Sequence, residues 1–564
     1  MTRKIVFSFF FLSACLLLHA GDSIFPNEGG TPKFEIRAVW LTTIGGIDWP
    51  KSHRIESQKA ELCKTLDQLK QAGVNTVLLQ TRIRATTIFP SDMEPWDACL
   101  TGASGKAPGY DPLQYAIEEC HKRGMQLHAW VVTIPVGKWD KAGCRQLRQK
   151  HPDMVVRIGE DGFMDPEKTA TADYLAKYCR NIVERYDVDG IHLDYIRYPE
   201  TWNKLPKAKG AKGRNTPVRP TSLNARRAYI TAIVKAIYQG VKAAKPWVMV
   251  SCSPIGKHDD LLRYRSGGWN ARTAVCQDAQ QWLKDGIMDA LFPMMYFRNN
   301  HFFPFAIDWQ EHAYGRFVIP GLGIYFLDPH EGKWSLGDVT RQMHVSRQLG
   351  MGHCYFRSYF LTSNQKGIYD FAERFDAVPS LIPPMLWAEG SKPAPPDTLF
   401  INKGQLCWHD TISNTEARVY NVYASEDYPV NVDTAANLVA TRLTSNRLCL
   451  PLDNRLNYAV TIQDRYGRES RPRQLLLNAG PRYTVSMIAK SDGRPVLLPA
   501  KPSTTDANYV IIETLHGKKM QLSPYVDNQP IDVRHLPDGI YQVRSIGRKG
   551  VTHRIGFFSV KKED

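Results

Sequence analysis

From residue 34 to about 360, short apolar runs alternate with stretches whose apolar residues recur at helical spacing. The runs are Ile36–Leu41, Val74–Thr81, Gln126–Val132, Gly190–Tyr195, Val248–Ser253, Ala290–Tyr296, Val318–Gly323 and Gly352–Phe356. Such short, bounded runs predict buried strands. Between them, Leu62, Leu66, Leu69 and Ala72 share one helical face and are followed by Gly73. Tyr115, Ile117, Cys120 and His121 run up to Gly124 in the same way. Glycine just past an amphipathic run is a helix-stop signal, because it alone enters the left-handed conformation at little cost. Eight strands alternating with helices predict an α/β fold, a (β/α)8 barrel over residues 34–380.

The pattern changes beyond the barrel. Residues 381–396, with Ile382-Pro-Pro-Met-Leu-Trp and Lys392-Pro-Ala-Pro-Pro396, have the composition of a linker. After it, alternating runs separated by Asn, Asp and Gly predict all-β modules. Residues 397–476 have the size and rhythm of a fibronectin III-like sandwich, and 480–564 form a second β-rich module. At the other end, Arg3 and Lys4 precede an apolar run from Ile5 to Leu18, and Ala20 offers a small residue for cleavage. This predicts a signal peptide over 1–20 and an exported, periplasmic or envelope protein. Leu12-Ser-Ala-Cys15 also resembles a lipobox that would lipidate Cys15, but the leucines after Cys15 favour cleavage near Ala20. The run is too short to span a bilayer as a stable helix.

Charge and cysteine spacing narrow the chemistry. There are 72 Lys+Arg against 56 Asp+Glu, a net charge of +16, so an anionic partner is expected. The basic residues are dispersed and no nucleic-acid motif occurs. Their densest cluster is Lys204, Lys207, Lys209, Lys212, Arg214 and Arg219, a flexible loop read either as a solvated excursion or as one that overhangs the cleft and attracts an anionic polymer. The 11 cysteines show no C-x-x-C spacing, which argues against a structural zinc, a redox pair or attached haem. No phosphate loop, dinucleotide fingerprint or nucleophile elbow is present. No cofactor and no metal are expected, and a monomer is.

Active sites of such barrels form at the C-terminal ends of the strands. In Asp187-Val-Asp-Gly-Ile-His-Leu-Asp194, His192 and Asp194 have equal parity and project to one face, with Arg197 just beyond. The first strand leads to Asp48 and Trp49, the second to Gln80 and Arg82, the third carries His128 and Trp130, and the sixth ends at Tyr296. Trp49, Trp130, Tyr296 and Trp96 offer flat faces for sugar rings, and the polar residues offer hydrogen bonds to hydroxyls. A carbohydrate is the predicted ligand. Glycoside hydrolysis ordinarily needs two carboxyl groups. Asp194 is the candidate nucleophile or base. Glu311 and Asp259 are the leading candidates for its acid partner, ahead of Asp260, Asp48 and Glu94.

Several segments in fixed order carry a family resemblance. They are Glu35-Ile-Arg-Ala-Val-Trp-Leu41, Ile47-Asp-Trp-Pro50, Glu94-Pro-Trp96 to Leu100-Thr-Gly102, Pro108-Gly-Tyr-Asp-Pro-Leu113, His121-Lys-Arg-Gly124, His128-Ala-Trp130 and Asp189-Gly-Ile-His-Leu-Asp194. Together they resemble glycosyl-hydrolase-like family 10 over residues 34–360. The resemblance implies a bacterial envelope glycosidase, often followed by a fibronectin III-like module, that cleaves glycan chains such as peptidoglycan strands stripped of their peptides. Two departures matter. Family members often carry a second Asp where this chain has Tyr195, and Ile196 occupies the position of the proton donor in the similar family 18 chitinase signature. A chitinase-type acid at that position is excluded. Glycosidases of uronic or sulfated polysaccharides, a non-catalytic glycan-binding protein and an envelope scaffold stay open as alternatives.

Overall fold

The computed structural model describes residues 31–564 apart from 203–220, 265–267, 412–417, 449–451, 454, 476, 478–485, 490–494, 499–506, 527–528, 534, 548–551 and 561–564. The predicted signal peptide with Cys15 and the basic cluster Lys204–Arg219 lie outside the described residues.

Eight parallel strands form the first domain: β1 (Arg37–Leu41), β2 (Thr76–Arg82), β3 (Gln126–Val132), β4 (Gly190–Asp194), β5 (Met249–Cys252), β6 (Ala290–Leu291), β7 (Phe317–Val318 continuing to Gly321–Leu322) and β8 (His353–Tyr355). Neighbours pair in chain order from β1 to β6. β7 closes the circle, because Phe317–Val318 pairs with β6 and Gly321–Leu322 pairs with β8. β8 then pairs with β1, His353 opposite Arg37. The sheet is a barrel without a free edge. A buried charge cluster seals the β8–β1 seam: Asp376 binds His353 at 3.1 Å and Arg347 at 2.5 Å, while Arg37 holds Glu35 at 2.7 Å.

Each strand is followed by a helix: α1 (Ile55–Gln71), α2 (Pro112–Lys122), α3 (Thr169–Arg185), α4 (Leu223–Ala244), α5 (Ala279–Lys284), α6 (Phe303–Glu311), α7 (Leu336–Gln348) and α8 (Ile368–Phe375). The local signals act as expected. Leu62, Leu66 and Leu69 of α1 are buried, and Gly73 follows in the left-handed region. In α2, Pro112 opens the helix and the Asp111 carboxylate accepts from the amides of Leu113 and Gln114, satisfying two donors that have no helical partner.

Strand parity divides the core. Val39, Leu41, Val77, Leu79, Ile191 and Leu193 pack outward against the helices. Ala38, Trp40, Leu78, Trp130, Met249, Phe292, Ile319 and Cys354 fill the barrel. Trp40 is the centre of that filling: its ring meets His192 at 5.9 Å, Phe292 at 6.2 Å and Phe356 at 5.7 Å. Space for it comes from Gly321, where an added Cβ would lie 2.9 Å from the Trp40 ring.

Three features went unread in the sequence. Pro135–Lys138, Val155–Ile158 and Asp161–Met164 form a small antiparallel sheet inserted between β3 and α3 at the active-site end. The strand at 290 is two residues long, because Pro293 cannot donate to a ladder. The third feature corrects the linker at 381–396. Its first part is a stopper for the barrel floor: Leu381, Ile382 and Met385 are buried, and Ile382 and Met385 join the interior cluster. Trp387 packs edge-on against Phe317 and donates to Asp289 at 3.1 Å. The prolines there hold an extended path under an apolar opening rather than spacing two domains.

The next module is two antiparallel sheets, Thr398–Asn402/Gln405–His409/Arg447–Leu448 and Leu438–Leu443/Val419–Ser425/Asn457–Gln463/Arg473–Leu475, around Leu406, Trp408, Val422 and Val460. It sits against the barrel floor, where Arg442 binds Asp189 at 2.8 Å and Arg465 binds Asp187 at 2.9 Å. Beyond it, a three-stranded and a four-stranded antiparallel sheet are described, with a core of Val510, Ile512, Tyr541, Val543 and Phe558 in the latter region.

Replacing Met385 by alanine would cut a side chain out of the floor plug and lower unfolding free energy by about 2–5 kcal/mol in urea titrations. A change near zero would make 381–388 an ordinary tether.

Candidate active site

Asp194 ends β4 at the barrel mouth with 6 % of its surface exposed. Three donors from three segments grip its carboxylate. Trp130 Nε1 of β3 donates to Oδ2 at 3.1 Å, the hydroxyl of Ser253 just past β5 donates to Oδ1 at 3.0 Å, and the Tyr195 amide donates to Oδ1 at 2.7 Å. Tyr195 takes a left-handed backbone, φ 52°, and its ring stays 38 % exposed. Burial is the largest influence on Asp194 and raises its pKa above the ordinary carboxylate value, against the pull of Arg197 and of the three donors. The Tyr296 hydroxyl is buried, has no hydrogen-bond partner among the described residues and lies within electrostatic reach of Asp194. Asp194, Trp130, Arg197 and Tyr296 thus meet at one place.

The other nominated residues are committed elsewhere, each for a physical reason. His192 shares parity with Asp194 but lies one pleat deeper, fully buried, about 6–7 Å further down the strand. Its Nε2 accepts from Trp40 Nε1 at 3.1 Å, so the proton sits on Nδ1 and faces Ser251 at 3.0 Å. Burial drives its pKa well below normal; it is a neutral part of the filling. His128 lies one pleat below Trp130, 1 % exposed, beside Gln126, and burial pushes its pKa down to about 4. Gly190 leaves room for it, since a Cβ there would sit 2.6 Å from the ring. Gln80 clamps the loop after β1 by accepting from the amides of Thr43 and Ile44 at 3.0 and 2.8 Å. Trp49 is 1 % exposed and donates to the Gln58 carbonyl at 2.8 Å, so no sugar can stack on it. Asp48 accepts from Thr42 at 2.8 Å and pairs with Arg357. Arg82 is fully buried and grips Glu94 at 2.6 Å and the Thr133 carbonyl at 2.7 Å. Burial opposes its charge, but Glu94 outweighs burial and leaves its pKa raised.

Both proposed acid partners are held in ion pairs with arginines. Glu311 closes α6 on an exposed surface, in a two-pronged ion pair with Arg263 at 3.0 and 2.7 Å. That pairing lowers its pKa, the wrong direction for a proton donor. Asp259 is held by Arg272 at 2.9 Å. Asp308, Glu311 and His312 on and beside α6 could offer ligand atoms within 4.8 Å of one another, but Glu311 is engaged with Arg263 and Asp308 with Gln280.

What the sequence concealed is the wall beside Asp194. A cavity of about 240 Å³ is lined by Arg84, Ile134, Pro135, Asp161, Phe163, Tyr195, Arg197 and Glu200, among others. Arg197 lies over the Tyr195 ring at 4.5 Å and near Trp269 at 5.6 Å. Trp269 is 48 % exposed, an aromatic face that the fold leaves open beside Arg197. Trp269, Phe163 and Arg84 carried no motif, and with Tyr195 they reach the mouth on separate segments: Arg84 after β2, Phe163 on the inserted sheet, Tyr195 after β4 and Trp269 in the loop after β5. The arrangement provides one buried carboxylate, exposed aromatic faces and polar donors around a concave site.

Residues 35–325 match the model of the family described as glycosyl hydrolase-like 10. Among curated proteins, the chain is 29 % identical over 472 residues to glycosyl hydrolase YngK of Bacillus subtilis (strain 168), covering 78 % of this chain and 92 % of that one. It is 28 % identical over 286 residues to glycosyl hydrolase DigH of Escherichia coli (strain K12), covering 46 % of this chain and 65 % of that one. Among solved structures, the PgaB (BpsB) glycoside hydrolase domain of Bordetella bronchiseptica aligns with TM-score 0.41 and 14 % identity, over 62 % of this chain and all of that one.

Arg82→Ala would leave Glu94 charged and unpaired in the core and cost about 3–5 kcal/mol of stability. Thermal unfolding checks this. An unchanged midpoint combined with a raised KM would return Arg82 to a ligand-binding role.

Proposed function

Since the chain belongs to the glycosyl hydrolase-like 10 family, a family of glycoside hydrolases, we propose that it hydrolyses internal bonds of an exported glycan chain with Asp194 as its essential carboxylate. The observation that carries this reading is the three-donor grip on Asp194. All three partners donate, so the carboxylate is held ready as an acceptor, in the posture of a nucleophile, a base or a stabiliser of positive charge at the anomeric carbon. Burial keeps water off it and strengthens its field at the sugar. Trp130 and Ser253 position it. Tyr195 and Trp269 present the faces on which sugar rings stack, and the unpartnered Tyr296 hydroxyl donates to or accepts from a substrate oxygen.

The basic leader and its apolar run support export, and peptide-free peptidoglycan, whose muramic acids expose lactyl carboxylates, is the leading substrate because the chain is basic, with 72 Lys+Arg against 56 Asp+Glu. The sandwich, with three strands facing four, is read as a fibronectin III-like module that docks the barrel.

Two outcomes follow for Asp194. Asp194→Asn should reduce fragment release from peptide-stripped peptidoglycan by at least about 10³-fold while sugar binding persists. Fragments at the wild-type rate would move the essential carboxylate elsewhere. If the ionised form is the working one, activity rises as pH climbs through the raised pKa of Asp194. The acid limb of kcat/KM should therefore lie above the ordinary aspartate value of about 3.9. A limb at or below that value would disconnect it from Asp194.

A further inference from the structure

The cavity beside Asp194 carries more cationic donor capacity than its own walls use. Arg197 is nine-tenths buried; its Nη2 binds Glu200 at 3.0 Å, yet its Nη1 is buried with no hydrogen-bond partner among the described residues. An unpaired buried guanidinium donor costs about 1–3 kcal/mol or more, so its retention calls for an acceptor that arrives from outside. Arg84, on the same wall, is exposed, and no carboxylate among the described residues pairs with it. The two carboxylates of the lining are both engaged, Asp161 with Lys138 at 3.2 Å and Glu200 with Arg197. One full positive charge therefore lines this space, and one idle donor belongs to the guanidinium of a second lining residue. At about 240 Å³ the cavity is smaller than the about 300–1,000 Å³ typical of a whole-ligand pocket. It suits one substituent of a sugar held at the mouth.

Resting on the hydrolase reading above, we propose that this cavity is a subsite for a carboxylate carried by the sugar next to the cleaved bond, with Arg84 and the free edge of Arg197 as its donors. Guanidinium groups match a planar carboxylate with paired, directional hydrogen bonds, which a neutral hydroxyl cannot reproduce. Tyr195 supports Arg197 from below and links the subsite to the reaction centre, because its amide holds Asp194 and its ring holds Arg197. A carboxylate bound here would also lie within the field of Asp194, so only a sugar whose anion is fully matched by the two arginines is accepted.

The test uses the full chain and two forms of one substrate: peptide-free glycan strands, and the same strands after carbodiimide activation and borohydride reduction, which turns their carboxylates into alcohols. Wild type should show a KM about tenfold lower on the native strands, with the gap shrinking as salt is raised. Arg84→Ala should collapse that preference, and Arg84→Glu should invert it; Arg84 is exposed, so both variants should keep the wild-type unfolding midpoint. Calorimetry on Asp194→Asn with both strand forms reads affinity without turnover. Turnover with equal KM for the two forms, or a preference that survives Arg84→Glu, overturns the subsite and leaves the hydrolase reading intact. Carboxylate-selective binding with no turnover of either form by wild type supports the subsite and overturns the hydrolase reading.

Discussion

The grip on Asp194 is the interaction on which the rest of the mouth depends. A carboxylate this deeply buried is expensive unless its charge is met by donors. Here they come from β3, from the segment after β5 and from the backbone just past β4 itself. Three adjacent barrel strands must keep their register for the grip to exist, and they do so because a closed barrel allows none of them to slip. Trp40, His192 and Phe292 below give that register a solid footing. Stability and chemistry meet at this point: the filling that holds the barrel together is also the surface on which the reactive group stands.

Period and parity made most of the fold legible in the chain. All eight strand runs became barrel strands, and the helix stops at Gly73 and Gly124 hold. Parity put His192 and Asp194 on one face of their strand, and Trp130, in register with His192, reaches up to donate to Asp194. Parity could not give depth. His192 and His128 have the right parity and the wrong height, and one pleat is the difference between a ligand contact and a buried neutral ring. Nor could it reveal partners. Arg82 looks like a cleft cation until Glu94, twelve residues away, is found folded back on it. Glu311 looks like a carboxyl near the mouth until Arg263 is found across from it.

Composition misled in a different way. A segment rich in proline reads as a spacer, and 381–396 fits that description in its second half. In the first half, Ile382 and Met385 sit among the prolines at positions where the barrel has an open apolar end. Proline stiffens a chain whether the segment crosses solvent or crosses a hole, and only the tertiary context distinguishes the two. The wall beside Asp194 was hidden for a similar reason. Arg84, Phe163, Tyr195 and Trp269 come from four separate loops and share no motif, so nothing short of the folded chain places them around one space.

The plugged floor bears on how such chains can be rearranged over evolutionary time. A barrel whose bottom is stoppered by the first residues after its last helix has its boundary some distance beyond that helix. Recombination that grafts another tail after residue 380 would deliver a barrel with an uncorked apolar end, whereas a junction placed after Ala388 carries the cork along. The Asp189–Arg442 and Asp187–Arg465 contacts then give the native sandwich a docking advantage that a newcomer lacks. Barrel and stopper are therefore inherited as one unit, and the exchangeable modules begin only after it.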